Sequence, residues 1–393
     1  MNDRLEGPPL LAYLRQQRDP MIHFLRNLVE IETPSSEPDT QYEVRAVLAN
    51  ELESMDFKTV PIRGIKTGGH LYARPRHKGH GTPTQLMIGH YDTVWPLGAL
   101  AERPFSVDGS IVRGPGVFDM KGGLTQMIFA LKALAALDLS PPLLPVIFVN
   151  GDEEIGSHDS GRYVHQLARR AARAFVLEPA MGSGGTLKTA RKGIGRFTVT
   201  VHGKAAHAGL DPEGGASAIL ELSHVIQSLF ALNDPSAGVS INVGMIDGGM
   251  RPNVIAPLSQ AIVDVRVPSA AAAERIEQQI LGLQPTTPGV RLRIEGGIGR
   301  PALEPTPRNQ ALWQHARQIG KTLGLELEQG AAGGGSDGNT TSLYTATLDG
   351  LGPVGDGAHA VHEYLDIDRT IERTALLASL LLAPPLAPDD AVD

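Results

Sequence analysis

The first half of the chain alternates between helical patterns and short apolar runs. Apolar side chains recur at helical spacing in four stretches, residues 12–29, 42–55, 122–137 and 163–173. Short apolar runs typical of buried strands occupy residues 60–62, 70–73, 86–88, 144–149 and 174–177. Strand–helix alternation of this kind predicts an α/β fold with a mainly parallel sheet flanked by helices.

The pattern changes near residue 193. Strand-like segments in which apolar and polar residues alternate follow at residues 197–201, 240–246, 260–266 and 290–295. Helical patterns separate them at residues 216–232 and 270–282. Alternating strands belong to an antiparallel sheet that can leave one face wet, so this part is predicted to be a small α+β sandwich.

The α/β pattern resumes from residue 309 and ends in an apolar helix at residues 369–382. We therefore predict a discontinuous α/β domain formed by residues 1–193 and 309–393. Residues 194–308 would form a domain inserted into it. A chain of 393 residues is long enough for two cores, which agrees with this division.

Composition narrows the classes of function. Hydrophobic residues make up 41% of the chain and charged residues 20%, which is typical of a globular protein. The net charge of −8 argues against nucleic acid or an anionic membrane as a partner. Because cysteine is absent, disulfides and thiolate sites are excluded, and any metal must be bound by His, Asp and Glu.

Targeting signals are not evident in the sequence. The N-terminal segment MNDRLEGPPLLAYLRQQ carries charges and prolines and has no apolar core of the kind that secretory signals contain. No stretch approaches the roughly 18 apolar residues of a membrane span. We therefore expect a cytoplasmic protein that does not engage a membrane.

Acidic and histidine residues follow the predicted strands of the α/β part. His90 and Asp92 come directly after one strand, Asp152-Glu153-Glu154 follow another, and Glu178 follows a third. Two further groups belong with them, Asp119 just before the helix at 122–137 and His359 in a glycine-rich loop. In open α/β sheets, sites form at the carboxyl ends of the strands, so we expect these groups to converge.

A single acid at a strand end is usually an ordinary solvated residue, but five gathered together are not. Each pair of carboxylates about 4 Å apart would cost about 4 kcal/mol at an effective dielectric constant near 20. Cations would offset this repulsion. Histidine with carboxylate suits zinc and related divalent ions, and paired ions are a recurrent device in hydrolysis.

The motifs resemble those of a known enzyme family. GHYDTV, GPGVFDMKGG, GDEEIGS, LEP at 177–179, HGKAAHAG, GGGSDGN and GAHAVHEYLDI occur in the order found in zinc-dependent aminoacylases and exopeptidases. That family includes glutamate carboxypeptidase, acetylornithine deacetylase and succinyl-diaminopimelate desuccinylase. The flanking sequences GKAAHAGLDPEGGASA, RPNVIAP and GIGRPALEPT look most similar to the glutamate carboxypeptidase branch.

The resemblance implies two zinc ions per subunit, for which cobalt or manganese could substitute. His90 and Glu178 would bind one ion, Glu154 and His359 the other, and Asp119 would bridge them. Asp92 would orient the imidazole of His90, and Glu153 would be the general base. The resemblance also implies a cis peptide bond between Asp119 and Met120.

The inserted domain resembles the lid and dimerisation module of the family. His207 would reach the active site of the partner subunit of a homodimer and stabilise the tetrahedral oxyanion. Asn253 and Arg266 would bind the substrate carboxylate. The loop GGGSDG lacks the Lys-Ser/Thr of a phosphate loop, so we expect it to form a wall of the substrate pocket, with Gly335 and Ser336 as substrate-binding residues.

Three functions follow as hypotheses. The first is a dinuclear zinc carboxypeptidase that cleaves an amide next to a free carboxylate, in a small molecule or a short peptide. The second is an N-acyl-amino-acid deacylase of the acetylornithine type. The third is a non-catalytic, metal-stabilised dimer, against which the presence of Glu153 argues, because a binding protein has no use for a base that ligates nothing.

Overall fold

The computed structural model describes residues 7–77 and 81–387. The first six residues belong to the segment predicted not to be a secretory signal, and they lie outside this description. Contacts divide the chain into two compact units. Unit 1 comprises residues 1–190, 305–332 and 336–393, and unit 2 comprises residues 191–304 and 333–335. The predicted domain limits, and the roles assigned to the two parts, remain predictions.

Helices and strands alternate along both units. The α-helices are α1 Gly7–Gln16, α2 Arg18–Glu30, α3 Tyr42–Ser54, α4 Ala99–Glu102, α5 Gly122–Ala136, α6 Gly161–Ala168, α7 Ala218–Phe230, α8 Ala270–Leu281, α9 Pro307–Thr322, α10 Asp337–Thr341 and α11 Ile367–Leu382. The strands are β1 Phe57–Ile62, β2 His70–Pro75, β3 Thr84–His90, β4 Ser106–Asp108, β5 Ile111–Arg113, β6 Leu144–Asn150, β7 Ala171–Val176, β8 Leu187–Arg191, β9 Gly193–His202, β10 Ser240–Gly248, β11 Leu258–Val267, β12 Arg291–Arg300, β13 Gln329–Ala332, β14 Ala346–Leu348, β15 Gly355–Asp356 and β16 Tyr364–Asp366.

Unit 1 is built on a six-stranded sheet with the order β1-β2-β6-β3-β7-β14. β3 runs parallel to β6 and β7, and β14 runs parallel to β7, whereas β1 and β2 are antiparallel at one edge. Alternate residues of β3 enter different cores: Met87 packs into the large core with α5 and α11, and Leu86 and Ile88 pack into a smaller core on the other face. The predicted α/β class with a mainly parallel sheet is confirmed.

Some predicted elements have different limits. The helix predicted at residues 12–29 is two helices that meet at Gln17. Pro20 lies in the first turn of α2, where its missing amide is tolerated, and it could not lie in the interior of one long helix. The helix predicted at 163–173 ends at Ala168, because residues from Ala171 onward pair with β3 as strand β7.

Unit 2 is a four-stranded antiparallel sheet with the order β10-β11-β9-β12, together with α7 and α8. Phe197, Val199 and Val201 of β9 are buried in a core that also contains residues of both helices, such as Val225 and Ile276. The alternation in the sequence therefore predicts this α+β arrangement correctly, because only one face of the sheet is covered. Among the described residues, no helix is long and apolar enough to cross a membrane.

Candidate metal centre

Three neighbouring parallel strands bring the predicted acids and His90 together. His90 is the last residue of β3, Glu178 comes two residues after the end of β7, and Glu154 comes four residues after the end of β6. Because β3 lies between β6 and β7, these carboxyl ends meet at one edge of the sheet. The convergence expected from the sequence is present.

Asp119 has a histidine on each side. Its Oδ1 lies 3.3 Å from Nε2 of His90, and its Oδ2 lies 3.4 Å from Nε2 of His359. A second carboxylate accompanies each histidine: Glu178 Oε1 lies 3.5 Å from His90 Nε2, and Glu154 Oε2 lies 3.1 Å from His359 Nε2. We call these five residues the metal centre. They form two pairs that share Asp119, and the peptide bond between Asp119 and Met120 is cis.

Asp92 contacts His90 through its backbone carbonyl and its carboxylate. The nearest partner of His90 Nδ1 is the backbone carbonyl of Asp92 at 2.9 Å, whereas the Asp92 carboxylate lies 3.5 Å away. A carbonyl only accepts hydrogen bonds, so Nδ1 carries the proton and the lone pair of neutral His90 lies on Nε2. The Asp92 carboxylate instead accepts the backbone amides of Glu153 and Glu154, each at 3.2 Å.

Glu153 and Glu154 lie in a turn and not at the end of an extended strand. The amide of Gly156 donates to the carbonyl of Glu153 at 2.8 Å, which closes the turn soon after β6 ends at Asn150. The directions of the two side chains are therefore set by this turn and not by the alternation of an extended strand.

The two acids nevertheless face different partners. Glu154 contacts His359, while Glu153 offers an oxygen within 4.8 Å of ligand atoms of His90 and Glu178. Glu153 is thus placed beside the metal centre, next to one of its two pairs.

The acids around the two histidines favour positive charge at both. Burial lowers the pKa of His90, but contacts with Asp119, Asp92 and Glu178 outweigh it and raise the pKa well above its ordinary value. Contacts with Asp119 and Glu154 raise the pKa of His359 to about 10. Burial raises the pKa of Glu154 to about 7. The cluster thus requires a proton or a cation on its nitrogen and oxygen atoms.

The residues present fit metal ions. Within the described residues, three buried ligand atoms have no hydrogen-bond partner, namely His90 Nε2, Asp119 Oδ1 and Glu154 Oε1. Unsatisfied buried polar atoms are costly, and bound cations would satisfy all three. A site made of imidazole and carboxylate groups, without thiolates, suits catalytic zinc and related divalent ions.

Glu363 is a residue of the site that the sequence analysis missed. Its buried carboxylate accepts four hydrogen bonds: Oε1 from the amides of Phe118 and Asp119 at 2.9 and 3.0 Å, and Oε2 from the amide of Gly116 and Nε1 of Trp95 at 2.8 and 2.7 Å. Burial raises the pKa of Glu363, although the amide donors oppose this. Its place in GAHAVHEYLDI, four residues after His359, was the only signal in the sequence.

In unit 2, His207 and Asn253 are neighbours. The amide of Ala208 donates to the carbonyl of Asn253 at 3.0 Å, and both side chains are on exposed residues. Nδ1 of His207 accepts the amides of Gly209 and Leu210, each at 3.2 Å. Nδ1 is therefore the acceptor, and the proton of neutral His207 lies on Nε2, which makes Nε2 a hydrogen-bond donor.

Arg266 is not brought together with Asn253 within one chain. Arg266 lies at the end of β11, and Asn253 precedes the start of the same strand. The eight residue-to-residue steps from Leu258 to Arg266 span about 26 Å at about 3.3 Å each. The guanidinium of Arg266 is bidentate with Asp264, at 2.8 and 3.0 Å.

The glycine loop divides between the two units. In unit 2, the carbonyl of Gly335 accepts a hydrogen bond from Arg191 at 3.2 Å. In unit 1, Ser336 is buried and its hydroxyl caps α10, accepting the amide of Gly338 and donating to Asp349. Substrate contacts at Gly335 and Ser336 remain predictions.

Comparisons with known proteins agree on one protein family. A family model described as Peptidase family M20/M25/M40 matches residues 86–383. Carboxypeptidase G2 of Pseudomonas sp. (strain RS-16) is 28% identical over 374 residues, which cover 92% of this chain and 88% of that protein.

Solved structures share the fold. Aminopeptidase PepT from Bacillus cereus superposes with a TM-score of 0.76 at 18% identity, covering 93% of this chain and 98% of that one. The YXEP protein of Bacillus subtilis, described as a dinuclear metal binding peptidase, has a TM-score of 0.68 at 16% identity, covering 94% and 98%.

Proposed function

Because the chain belongs to peptidase family M20/M25/M40 and is a metal-dependent hydrolase, we propose that it is a metallocarboxypeptidase of the glutamate carboxypeptidase type. It cleaves an amide bond next to a free carboxylate in a small molecule or short peptide. The observation that carries the proposal is the pair of histidine–carboxylate sets that share Asp119, with Glu153 beside them. The match to Carboxypeptidase G2 over most of both chains supports the type of reaction.

The centre holds two divalent ions, with zinc as the proposed metal and cobalt or manganese as substitutes. His90 and Glu178 would hold one ion, Glu154 and His359 the other, and Asp119 would contact both. The description of a B. subtilis structural neighbour as dinuclear supports two ions. When bound, such ions polarise the scissile carbonyl and lower the pKa of a water molecule.

Glu153 acts as the general base. Its carboxylate takes a proton from the attacking water and passes it to the nitrogen of the leaving amine. The Asp92 carboxylate holds the backbone amide of Glu153, which restricts where this side chain can lie. Asp92 therefore acts as a positioning residue for both glutamates and for His90.

Unit 2 serves as the lid and dimerisation module. In residues 7–77 and 81–387, β10 is an edge strand that pairs only with β11, and it exposes Met245 and Ile246. α7 exposes Ile219 and Leu220. An apolar edge strand and an apolar helix surface in one unit are the features of an association surface, and a second copy of the chain would cover both.

The positions of three unit 2 residues fit a shared active site. His207 and Asn253 lie at one end of β11 and Arg266 lies at the other, so a single chain cannot place all three on one substrate. In the homodimer, His207 and Asn253 would come from the partner subunit, where Nε2 of His207 donates to the oxyanion. Arg266 would bind the substrate carboxylate after exchanging its partner Asp264.

Charge placed on the edge strand tests the dimer. Ile246→Lys should convert a dimer into monomers in analytical ultracentrifugation and should lower turnover together with the dimer fraction. The matched control is Leu281→Lys, which puts the same charge on an exposed apolar residue of α8, away from β10. Monomers with full activity would contradict the role of His207 across the dimer.

A substrate panel tests the reaction itself. The zinc-, cobalt- or manganese-loaded protein would be assayed against dipeptides, pteroyl-glutamate, benzoyl-glutamate and N-acetyl amino acids. We expect the glutamate conjugates or dipeptides to be cleaved fastest. If only N-acetyl amino acids turn over, the chain is a deacylase of the acetylornithine type and the carboxypeptidase assignment is wrong.

A further inference from the structure

Helix α11 buries an arginine without a counter-charge. Arg373 is 3% exposed, and its Nη1 and Nη2 are both fully buried. Across residues 7–77 and 81–387, neither nitrogen has a hydrogen-bond partner. A buried guanidinium without acceptors is costly, because its charge has lost water and gained nothing in return.

Arg173 shows how the same unit satisfies a buried arginine. Its guanidinium donates to Gln85 Oε1 at 3.0 and 2.8 Å and to the carbonyls of Leu380, Ala383 and Pro384 at 2.8 to 3.0 Å. Those carbonyls lie in the last turn of α11 and just beyond it, where a helix leaves acceptors free. Arg373 lies in the interior of the helix, where backbone carbonyls are already used.

A cavity of about 280 Å³ adjoins Arg373. Arg369, one helical turn earlier, lines the same cavity and donates to the carbonyls of Ser183 and Gly184. The two guanidinium groups lie close together beside Gly185, because a Cβ built there would lie 2.9 Å from Arg373 Nη2 and 3.5 Å from Arg369 Nη2. The lining of the cavity therefore includes two arginines whose guanidinium groups are neighbours.

The acids near the cavity do not neutralise Arg373. Glu326 and Glu372 line the cavity, but neither forms an ion pair with Arg373 in the part of the chain that the structure describes. Burial, and next the charge of Arg369, lower the pKa of Arg373 to about 10, so it remains a cation at neutral pH. The site combines space, positive charge and unused donors.

We propose that this cavity binds a small oxyanion, a carboxylate or a phosphate, held by the two free Nη groups of Arg373 with Arg369 beside it. The planar fork of a guanidinium matches two oxygens of either anion. The cavity volume is slightly below the range of about 300–1,000 Å³ that is common for small-molecule sites, which suits a small ligand. Neither the metal centre nor the residues proposed for catalysis line this cavity.

The test is isothermal titration of the metal-loaded protein with inorganic phosphate, and separately with acetate. Wild type is compared with Arg373→Gln and with Arg170→Gln, which removes one charge from an exposed arginine of the same unit. All three proteins keep the metal centre, so anion binding there contributes equally to each. The difference between wild type and Arg373→Gln reports the cavity.

We expect Arg373→Gln to weaken phosphate binding at the cavity at least about tenfold, and Arg170→Gln to leave it unchanged. Phosphate should also raise the melting temperature of the wild type and not that of Arg373→Gln. A difference seen with phosphate alone identifies phosphate as the ligand class, and one seen with acetate as well includes carboxylates. Arg369→Gln, which keeps Arg373, should weaken phosphate binding by a smaller factor. This variant replaces Arg373→Gln in the test if Arg373→Gln fails to fold.

Identical isotherms for the wild type and both cavity variants would overturn the proposal. So would a crystal structure grown in phosphate in which the carboxylate of Glu326 or Glu372 occupies the Nη groups of Arg373, because the chain would then supply its own counter-charge.

Discussion

Two clusters of histidine and acidic residues each include a side chain from the segment after β6. The pKa values of their histidines shift in opposite directions. One is the metal centre. The other, the His70 cluster, comprises His70, Asp152, Asp159 and Asp337. The acids of the metal centre raise the pKa of both its histidines. In the His70 cluster, burial lowers the pKa of His70 although Asp152, Asp159 and Asp337 all raise it.

Hydrogen-bond donors account for the difference. Asp152 Oδ2 accepts the amides of Asp159 and Ser160 at 2.8 and 3.2 Å, and Asp159 Oδ2 accepts the amide of Ile65 at 2.7 Å. Asp337 accepts Asn150 and Ser157. These hydrogen bonds stabilise the negative charge of the three carboxylates without a cation. Among the described residues, Oδ1 of Asp152 has no hydrogen-bond partner. His70 is also farther from its acids, 3.9 Å from Asp152 and 3.6 Å from Asp159.

The comparison separates acids that are proposed to bind metal from acids that hold backbone amides. Asp152 and Glu154 are two residues apart and look alike in the sequence. Among the described residues, each acid keeps one buried oxygen without a hydrogen-bond partner, and the difference lies in the other oxygen. Backbone amides hold Oδ2 of Asp152, whereas Oε2 of Glu154 lies beside His359. The position of donors, which depends on the folded chain, decides the role.

The largest effect is expected at Glu153. Glu153→Gln removes the general base but no proposed ligand, so turnover should fall by about 10²–10⁴-fold. Metal analysis of the purified variant should still find two ions per chain. The paired control is Asp152→Asn, which alters the neighbouring acid of the His70 cluster and should leave turnover per folded molecule within a few-fold of wild type.

A drop in metal content equal to the drop in turnover would show that Glu153 is a ligand, and unchanged turnover would remove it from the mechanism.

An intermediate effect is expected at Glu363. Glu363→Gln replaces one acceptor oxygen with an amide group that faces the N–H donors of the loop around Asp119, so this loop should lose its position. Metal affinity should weaken by about 10–100-fold, as for other residues that orient ligands. The readouts are the metal dissociation constant and the absorption spectrum of the cobalt-loaded protein.

Glu30→Gln, at an exposed acid of α2, is the matched control for this change. A Glu363→Gln variant with wild-type cobalt spectrum and affinity would show that the four hydrogen bonds do not position Asp119.

The smallest effect concerns pH and the His70 cluster. His70 has a folded pKa below its unfolded value near 6.5, so its contribution to the unfolding free energy is present above that pH. It is lost as the pH falls through 6.5 towards the folded pKa. In urea unfolding between pH 7.5 and 5, the stability advantage of the wild type over His70→Gln should therefore shrink, by no more than about 1.4 kcal/mol per pH unit for one proton.

An advantage that grows on acidification would mean that the acids, not burial, control His70, and the contrast with the metal centre would fail.

Much of the fold and of the candidate site follows from the sequence for a physical reason. The central parallel strands are buried on both faces, so they appear as continuous apolar runs, and the polar residues after them must lie at one edge. The residues of the metal centre lie next to such apolar runs or within the family motifs. The break at Gln17 was missed because apolar spacing continues across it, and the limit of α6 was missed because pairing overrides the helix propensity of alanine and arginine.

Contacts between distant segments could not be predicted. The carboxylate of Glu363 accepts a hydrogen bond from the amide of Phe118, which lies 245 residues away in the sequence. Such a contact cannot be read from the pattern of side chains, because the donor is a backbone amide. The same holds for Asp92, whose carboxylate holds the amides of Glu153 and Glu154.

Crystallographic anomalous scattering at the zinc edge would show whether the five residues of the metal centre hold two ions. For crystals of the zinc-loaded protein, we expect two peaks in each subunit, one beside His90 and Glu178 and one beside Glu154 and His359, with Asp119 between them. A single peak, or zinc bound away from Asp119, would contradict this expectation.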